Sequence, residues 1–242
     1  MIQRTGLHPC LLLALPVLLL LLAGCSGSPQ ATPTVSIAVP SDASPSRFTY
    51  VAMGASDAFG VGAADPTTQS WPADLARLLP VGSRFVNLGI PGITLHQALT
   101  QELPVALSIR PNLVTIWLGV NDLDADVPLE QYQHDLGILL GTLATKTHAT
   151  VAVGNIPDLT LLPAFADQDP VALRAEIATW NQVIAIEVRR HHDLLVDLYQ
   201  GTAAFATNPE DISDDGLHPT EEGYQLIATA FAQVLRAHHV IP

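Results

Sequence analysis

The sequence predicts a three-layer α/β/α domain on a five-stranded parallel sheet. Two observations predict it. Five short apolar runs alternate with helical patterns from about residue 47 to the end, and nearly every run is apolar on successive positions, as a strand covered on both faces must be. No internal repeat interrupts this alternation.

The strands are predicted at "RFTYVAMG" (47–54), "RFVNLG" (84–89), "NLVTIWLG" (112–119), "ATVAVGN" (149–155) and "DLLVDLY" (193–199). Helices are predicted at about 71–79, 94–103, 128–146, 170–191 and 220–238. Pro72 and Pro170 suit first helical turns, where an N–H has no partner to lose.

The first 25 residues stand apart from this domain. Arg4 precedes the apolar stretch "CLLLALPVLLLLLAG", which is broken by Pro16 and falls short of the ~20 residues that span a bilayer, so the segment reads as a signal peptide ending at Cys25. Residues 26–46, "SGSPQATPTVSIAVPSDASPS", carry almost no charge and no amphipathic period. They cannot bury enough surface to offset the cost of ordering and are expected to form a tether, reaching about 25 Å as a coil. The remainder, 47–242, is long enough for one full core.

Loss of Arg4 and Cys10 with the signal leaves nine basic against 23 acidic residues, a net charge of about −14, and Cys25 alone. Such a charge argues against a nucleic-acid partner, and a single cysteine allows neither an internal disulfide nor a cysteine metal site. His191-His192 and His238-His239 end helical patterns, where a cation suits the helix dipole; no third ligand at suitable spacing accompanies them, so no metal is expected.

In a parallel α/β sheet, ligands bind outside the carboxyl ends of the strands. There the sequence places Ser56 in "GASDAFG" after the first strand, Gly92 in "NLGIPGIT" after the second, Asn121 in "GVNDL" after the third, and Asp215 and His218 in "DDGLHPTEEGY" after the last. Each cluster alone is ordinary turn chemistry. Together they supply the parts of an acyl-transfer site: a nucleophile, a base to activate it, an acid to orient the base, and donors for a developing oxyanion.

These stretches resemble the blocks of the SGNH hydrolases, also called GDSL esterases and lipases, over roughly residues 54–223. The resemblance implies a flavodoxin-like sheet and a serine esterase, lipase or lysophospholipase without metal or organic cofactor. It also implies a nucleophile at Ser56, a His218/Asp215 pair, and an oxyanion hole from the N–H groups of Ser56 and Gly92 and the side chain of Asn121. Asp215 is preferred over its neighbour Asp214 because it matches the family's D-x-x-H. One departure stands out: Ala55 and Asp57 flank the serine, whereas the family places an acid before it and leucine after it.

"LAGC", with Leu22 three residues before Cys25, is similar to the lipobox of bacterial lipoproteins. It implies a lipid such as palmitate on Cys25 and an extracytoplasmic, membrane-attached enzyme. The alternatives are a glycan- or lipid-binding module on the same fold, or an acyltransferase to sugar; a hydrolase releases free acid at a rate independent of added glycan. Short connections favour small acyl groups or lysophospholipids as substrates.

Overall fold

The computed structural model describes residues 48–202 and 208–242. The signal peptide, the tether and Cys25 lie outside the described residues. Among the described residues no helix is long and apolar enough to cross a membrane.

All five expected strands form: β1 (Thr49–Gly54), β2 (Arg84–Asn87), β3 (Leu113–Trp117), β4 (Thr150–Gly154) and β5 (Leu194–Val196). They pair in the order β2-β1-β3-β4-β5, every pair parallel, with Val51 beside Val86 on one side and Val114 on the other. This is the doubly wound order whose switch point lies between β1 and β3, so the crevice opens at their carboxyl ends.

Alternation along the strands divides the core in two. Val51, Met53, Val114, Ile116, Val151 and Val153 face one layer, formed by α4 (Leu95–Gln101), α5 (Leu103–Ile109), α7 (Leu129–Lys146) and α8 (Pro170–Arg190). Tyr50, Ala52, Leu113, Ala152 and Val196 face the other, formed mainly by α3 (Trp71–Ala76) and α10 (Glu221–Ala237). Trp71 stacks on Phe231 there with ring centroids 4.4 Å apart, joining the two helices; burying each such side chain is worth about 1.5–3 kcal/mol.

The helix starts follow local chemistry. Asp169 accepts from Val171 N–H and Ala172 N–H with Pro170 in the first turn of α8, and Thr94 and Gln97 form a reciprocal capping box on α4. Both histidine pairs sit where the long helices end, His191 following α8 and His238 following α10.

Short elements beyond those expected shape the crevice. They are α1 (Ser56–Phe59), α2 (Pro66–Gln69), α6 (Val120–Asp124) and α9 (Leu198–Gly201). The last strand is therefore shorter than its apolar run, because Asp197 caps α9 by accepting from Gln200 N–H at 3.1 Å. The helix expected at 94–103 forms as α4, and a second helix not expected from the sequence, α5, follows it with Glu102 at the junction.

Candidate active site

Ser56 is the first residue of α1, two residues beyond the end of β1. The single turn of α1 is closed by the Gly60 and Val61 N–H groups, which both donate to Ser56 O at 2.9 and 3.0 Å. Gly89 lets the chain after β2 pass directly against it: a Cβ at that position would lie 2.6 Å from Phe59 N.

Asp215 and His218 lie in a tight hairpin just before α10. Ile212 pairs with Pro219, and Ser213 N–H donates to His218 O at 2.8 Å. Inside the hairpin, Asp215 Oδ1 accepts from Ser213 Oγ at 2.9 Å, Leu217 N–H at 2.8 Å and His218 N–H at 2.9 Å. Its Oδ2 lies 2.6 Å from His218 Nδ1. Partial burial alone would raise this carboxyl, but the bonds from His218, Leu217 and Ser213 outweigh it and hold Asp215 well below the usual carboxylate range.

An ionised Asp215 can only accept, so Nδ1 of the imidazole carries the proton. Nε2 then presents its lone pair, and Ser56 Oγ lies 2.8 Å from it. Serine, histidine and aspartate thus form one continuous chain of hydrogen bonds across 162 residues of sequence. Asp214 is exposed, and the contact to the ring comes from Asp215.

The remaining expected residues gather on the near side. Gly92 is exposed with φ 77°, and a Cβ there would meet nothing within 4 Å among the described residues. Asn121 Nδ2 donates to Ile93 O at 2.9 Å, one residue from Gly92, which commits one amide hydrogen and fixes the side-chain plane. The other hydrogen of that amide is the one available to a ligand.

Two further acids stand in this region: Asp122, to which the sequence assigned no role, and Asp57, which it marked only as a departure beside the serine. Asp122 accepts the N–H of Leu95 with both oxygens, at 3.0 and 3.1 Å, so adjacent residues of "GVNDL" hold the chain that leaves the Gly92 turn. Burial pushes Asp122 up to about 6. Asp57 is likewise pushed up to about 6 by burial, against the opposing pull of nearby His218. The signal for Asp122 was an acid directly following the predicted oxyanion donor; Asp57 was visible as the family departure.

Asp57 also borders an apolar slot lined by Trp117, Val120, Leu159, Leu162, Leu217 and Ile227. Two of its lining residues, Asp57 and Leu217, are chain neighbours of Ser56 and His218. Elsewhere, His96 pairs with Asp135 at 3.0 Å, but that ring is exposed on α4 and its described bond is to the acid alone. Among the described residues no three side chains gather in a metal-ligating cluster.

The geometry has a counterpart among known families, because the profile of the GDSL-like Lipase/Acylhydrolase family matches residues 52–226, from β1 into α10. The chain belongs to that family. It is a serine hydrolase acting on ester bonds, and its five-stranded parallel sheet is the fold of GDSL hydrolases. No curated protein gives a significant match.

Among solved structures it is similar to the esterase EstA from Pseudoalteromonas, in a structure inhibited by monoethylphosphonate. The two are 18% identical over 78% of this chain and 97% of that one, with a TM-score of 0.62. The acetylxylan esterase Axe2 from Geobacillus stearothermophilus is 19% identical over 78% and 94%, with a TM-score of 0.63. A lipase/acylhydrolase from Enterococcus faecalis is 19% identical over 79% and 96%, with a TM-score of 0.60.

Proposed function

We propose that this GDSL hydrolase is a membrane-tethered esterase that forms its acyl-enzyme on Ser56. The observation that carries the reading is the unbroken chain from Ser56 Oγ to His218 Nε2 at 2.8 Å and from His218 Nδ1 to Asp215 at 2.6 Å. Ser56 Oγ attacks the ester carbonyl as its proton passes to His218 Nε2, and the imidazolium is stabilised by Asp215. Negative charge on the carbonyl oxygen is met by the N–H groups of Ser56 and Gly92 and the free amide hydrogen of Asn121.

His218 then returns the proton to the departing alcohol oxygen as the carbon–oxygen bond breaks. A water enters, loses a proton to His218 and attacks the acyl carbon; the acid leaves and Ser56 regains its hydrogen. Protons and the acyl group move only between named atoms, so the cycle closes without a cofactor.

The acyl part of the substrate is read from the slot beside Asp57 and Leu217. Its lining of Trp117, Val120, Leu159, Leu162 and Ile227 offers apolar contact and little hydrogen bonding, which supports an alkyl chain there. Each methylene it buries is worth about 0.8 kcal/mol, about fourfold in kcat/KM. The lipobox at Cys25 and the tether 26–46 support attachment to the outer face of the bacterial cell membrane.

Hydrolysis of p-nitrophenyl esters from acetate to palmitate tests the whole reading. kcat/KM is expected to rise from acetate to a chain of about four to eight carbons and then fall. Activity confined to acetate removes the slot from the account, and activity that survives Ser56→Ala removes the nucleophile.

A further inference from the structure

Helix α4 starts directly after the Gly92 turn, and buried carboxyls fix both its ends to the site. At its start the link is Asp122, which takes the N–H of Leu95. At its end stands Glu102, 1% exposed, whose Oε1 accepts the N–H of Gly54 at 3.1 Å. Gly54 is the last residue of β1, two residues before Ser56.

Glu102 belongs to none of the family blocks quoted above, and packing does not call for it. Its surroundings at the α4–α5 junction include buried Ala98, Leu103 and Ala106, and its second oxygen is buried without a hydrogen-bond partner among the described residues. A leucine would fill such a place without placing a polar group in an apolar core. What leucine cannot do is accept from Gly54 N–H. The Gly54 carbonyl is already committed elsewhere, accepting Ile90 N–H at 3.0 Å in the segment that leads to Gly92. Gly54 therefore joins β1 to both the Gly92 segment and the helix that follows it.

We propose that Glu102 is a positioning residue for ester hydrolysis: by holding Gly54 N–H it locks the strand end that carries Ser56 to helix α4, and so fixes the spacing of the Ser56 and Gly92 N–H groups around the carbonyl oxygen. This rests on the oxyanion roles assigned under Proposed function. Because both donors act on charge that develops only in the transition state, loosening their spacing lowers kcat with little change in KM.

The protonation of Glu102 gives a second readout. Burial pushes it up to about 8, opposed only by the Gly54 hydrogen bond; no charged group contributes from β1, α4 or α5. A carboxyl raised above its ordinary range supports the fold in its neutral form. That support is complete below the unfolded-state pKa and is lost as pH rises through about 8.

The test compares Glu102→Gln and Glu102→Leu with the unaltered full-length protein on p-nitrophenyl butyrate, with Ser56→Ala in parallel and Tm recorded for each. Glutamine keeps an acceptor for Gly54 N–H, so its kcat at pH 7 is expected within about threefold of the parent. Its Tm relative to the parent is expected to rise as pH climbs toward about 8 and to level off above, because only the parent loses the support of a neutral carboxyl there. Leucine is expected to lower kcat about ten- to hundredfold with KM within threefold.

The proposal is overturned if leucine retains full kcat or if glutamine is as impaired as leucine. Should the leucine variant fail to fold, Glu102→Met, which also lacks an acceptor for Gly54 N–H, takes its place under the same kcat and KM criteria. Ser56→Ala separates the two readings: if it retains activity the nucleophile assignment has failed, whereas an inactive Ser56→Ala beside an unimpaired Glu102→Leu rejects the positioning role only.

Discussion

Replacing Asp215 by asparagine changes one oxygen to an amide nitrogen, and the hairpin dictates which. Three donors, Ser213 Oγ, Leu217 N–H and His218 N–H, converge on Oδ1. An amide NH₂ placed there would face two backbone N–H groups, so the asparagine carbonyl takes that position. Its NH₂ is left facing His218 Nδ1, formerly 2.6 Å from Oδ2, and must donate to it. The imidazole is then held with its proton on Nε2, where it cannot take the proton of Ser56. In a serine protease the corresponding change costs about 10⁴ in kcat. Here the enforced tautomer is expected to lower kcat/KM by at least 10³, or about 4 kcal/mol of transition-state stabilisation.

Because the hairpin keeps its three accepting contacts, Tm should change by less than about 3 °C. The assay is kcat/KM for one chromogenic ester from pH 5 to 9, with Asp214→Asn as the control, expected within threefold of the parent because Asp214 is exposed. A crippled Asp214→Asn would reassign the acid. An unimpaired Asp215→Asn would reduce the hairpin to a turn before α10 and refute the tautomer argument.

Three further outcomes follow from the same geometry. Asn121→Ala removes a proposed oxyanion donor and should lower kcat by about 10²–10³, with KM changing much less; equal effects on both would mark it as a ground-state contact. Asp57 is pushed up to about 6, so its neutral form supports the fold fully below the ordinary aspartate range and that support is lost as pH rises through about 6. The Tm of Asp57→Asn relative to the parent should therefore climb between pH 4 and 6.5 and level off above 7, and a flat difference would contradict the burial of that carboxyl. Cys25→Ser should move the protein from the detergent-extracted membrane fraction to the soluble one, and unchanged partitioning would defeat the lipid anchor.

Much of this architecture was legible in the sequence because parallel strands covered on both faces need consecutive apolar residues, as in "NLVTIWLG" and "ATVAVGN". The four polar clusters were legible for the related reason that such a sheet exposes its ligand edge only where strands end. Pro104 hid the second helix: it reads as a stop, yet it occupies the first turn of α5, where its missing N–H has no partner to lose. Strand β5 ended early because Asp197 bonds to Gln200 N–H and to Asn155, a residue 42 positions away. Glu102 was illegible for the same reason, since its partner Gly54 lies 48 residues away and a lone glutamate in a helical pattern reads as solvated surface. Ser56 itself was expected at a strand end, and it lies just past one, as the first residue of a single helical turn.

The central claim is that Ser56 carries the acyl group, and covalent capture tests it most directly. A fluorophosphonate reacts only with an activated nucleophile. After reaction with the full-length protein and digestion, mass spectrometry of the peptides should place the phosphonate on Ser56 at about one equivalent, with none bound by Ser56→Ala or by protein denatured beforehand. A phosphonate on any other residue, or undiminished labelling of Ser56→Ala, would contradict the account.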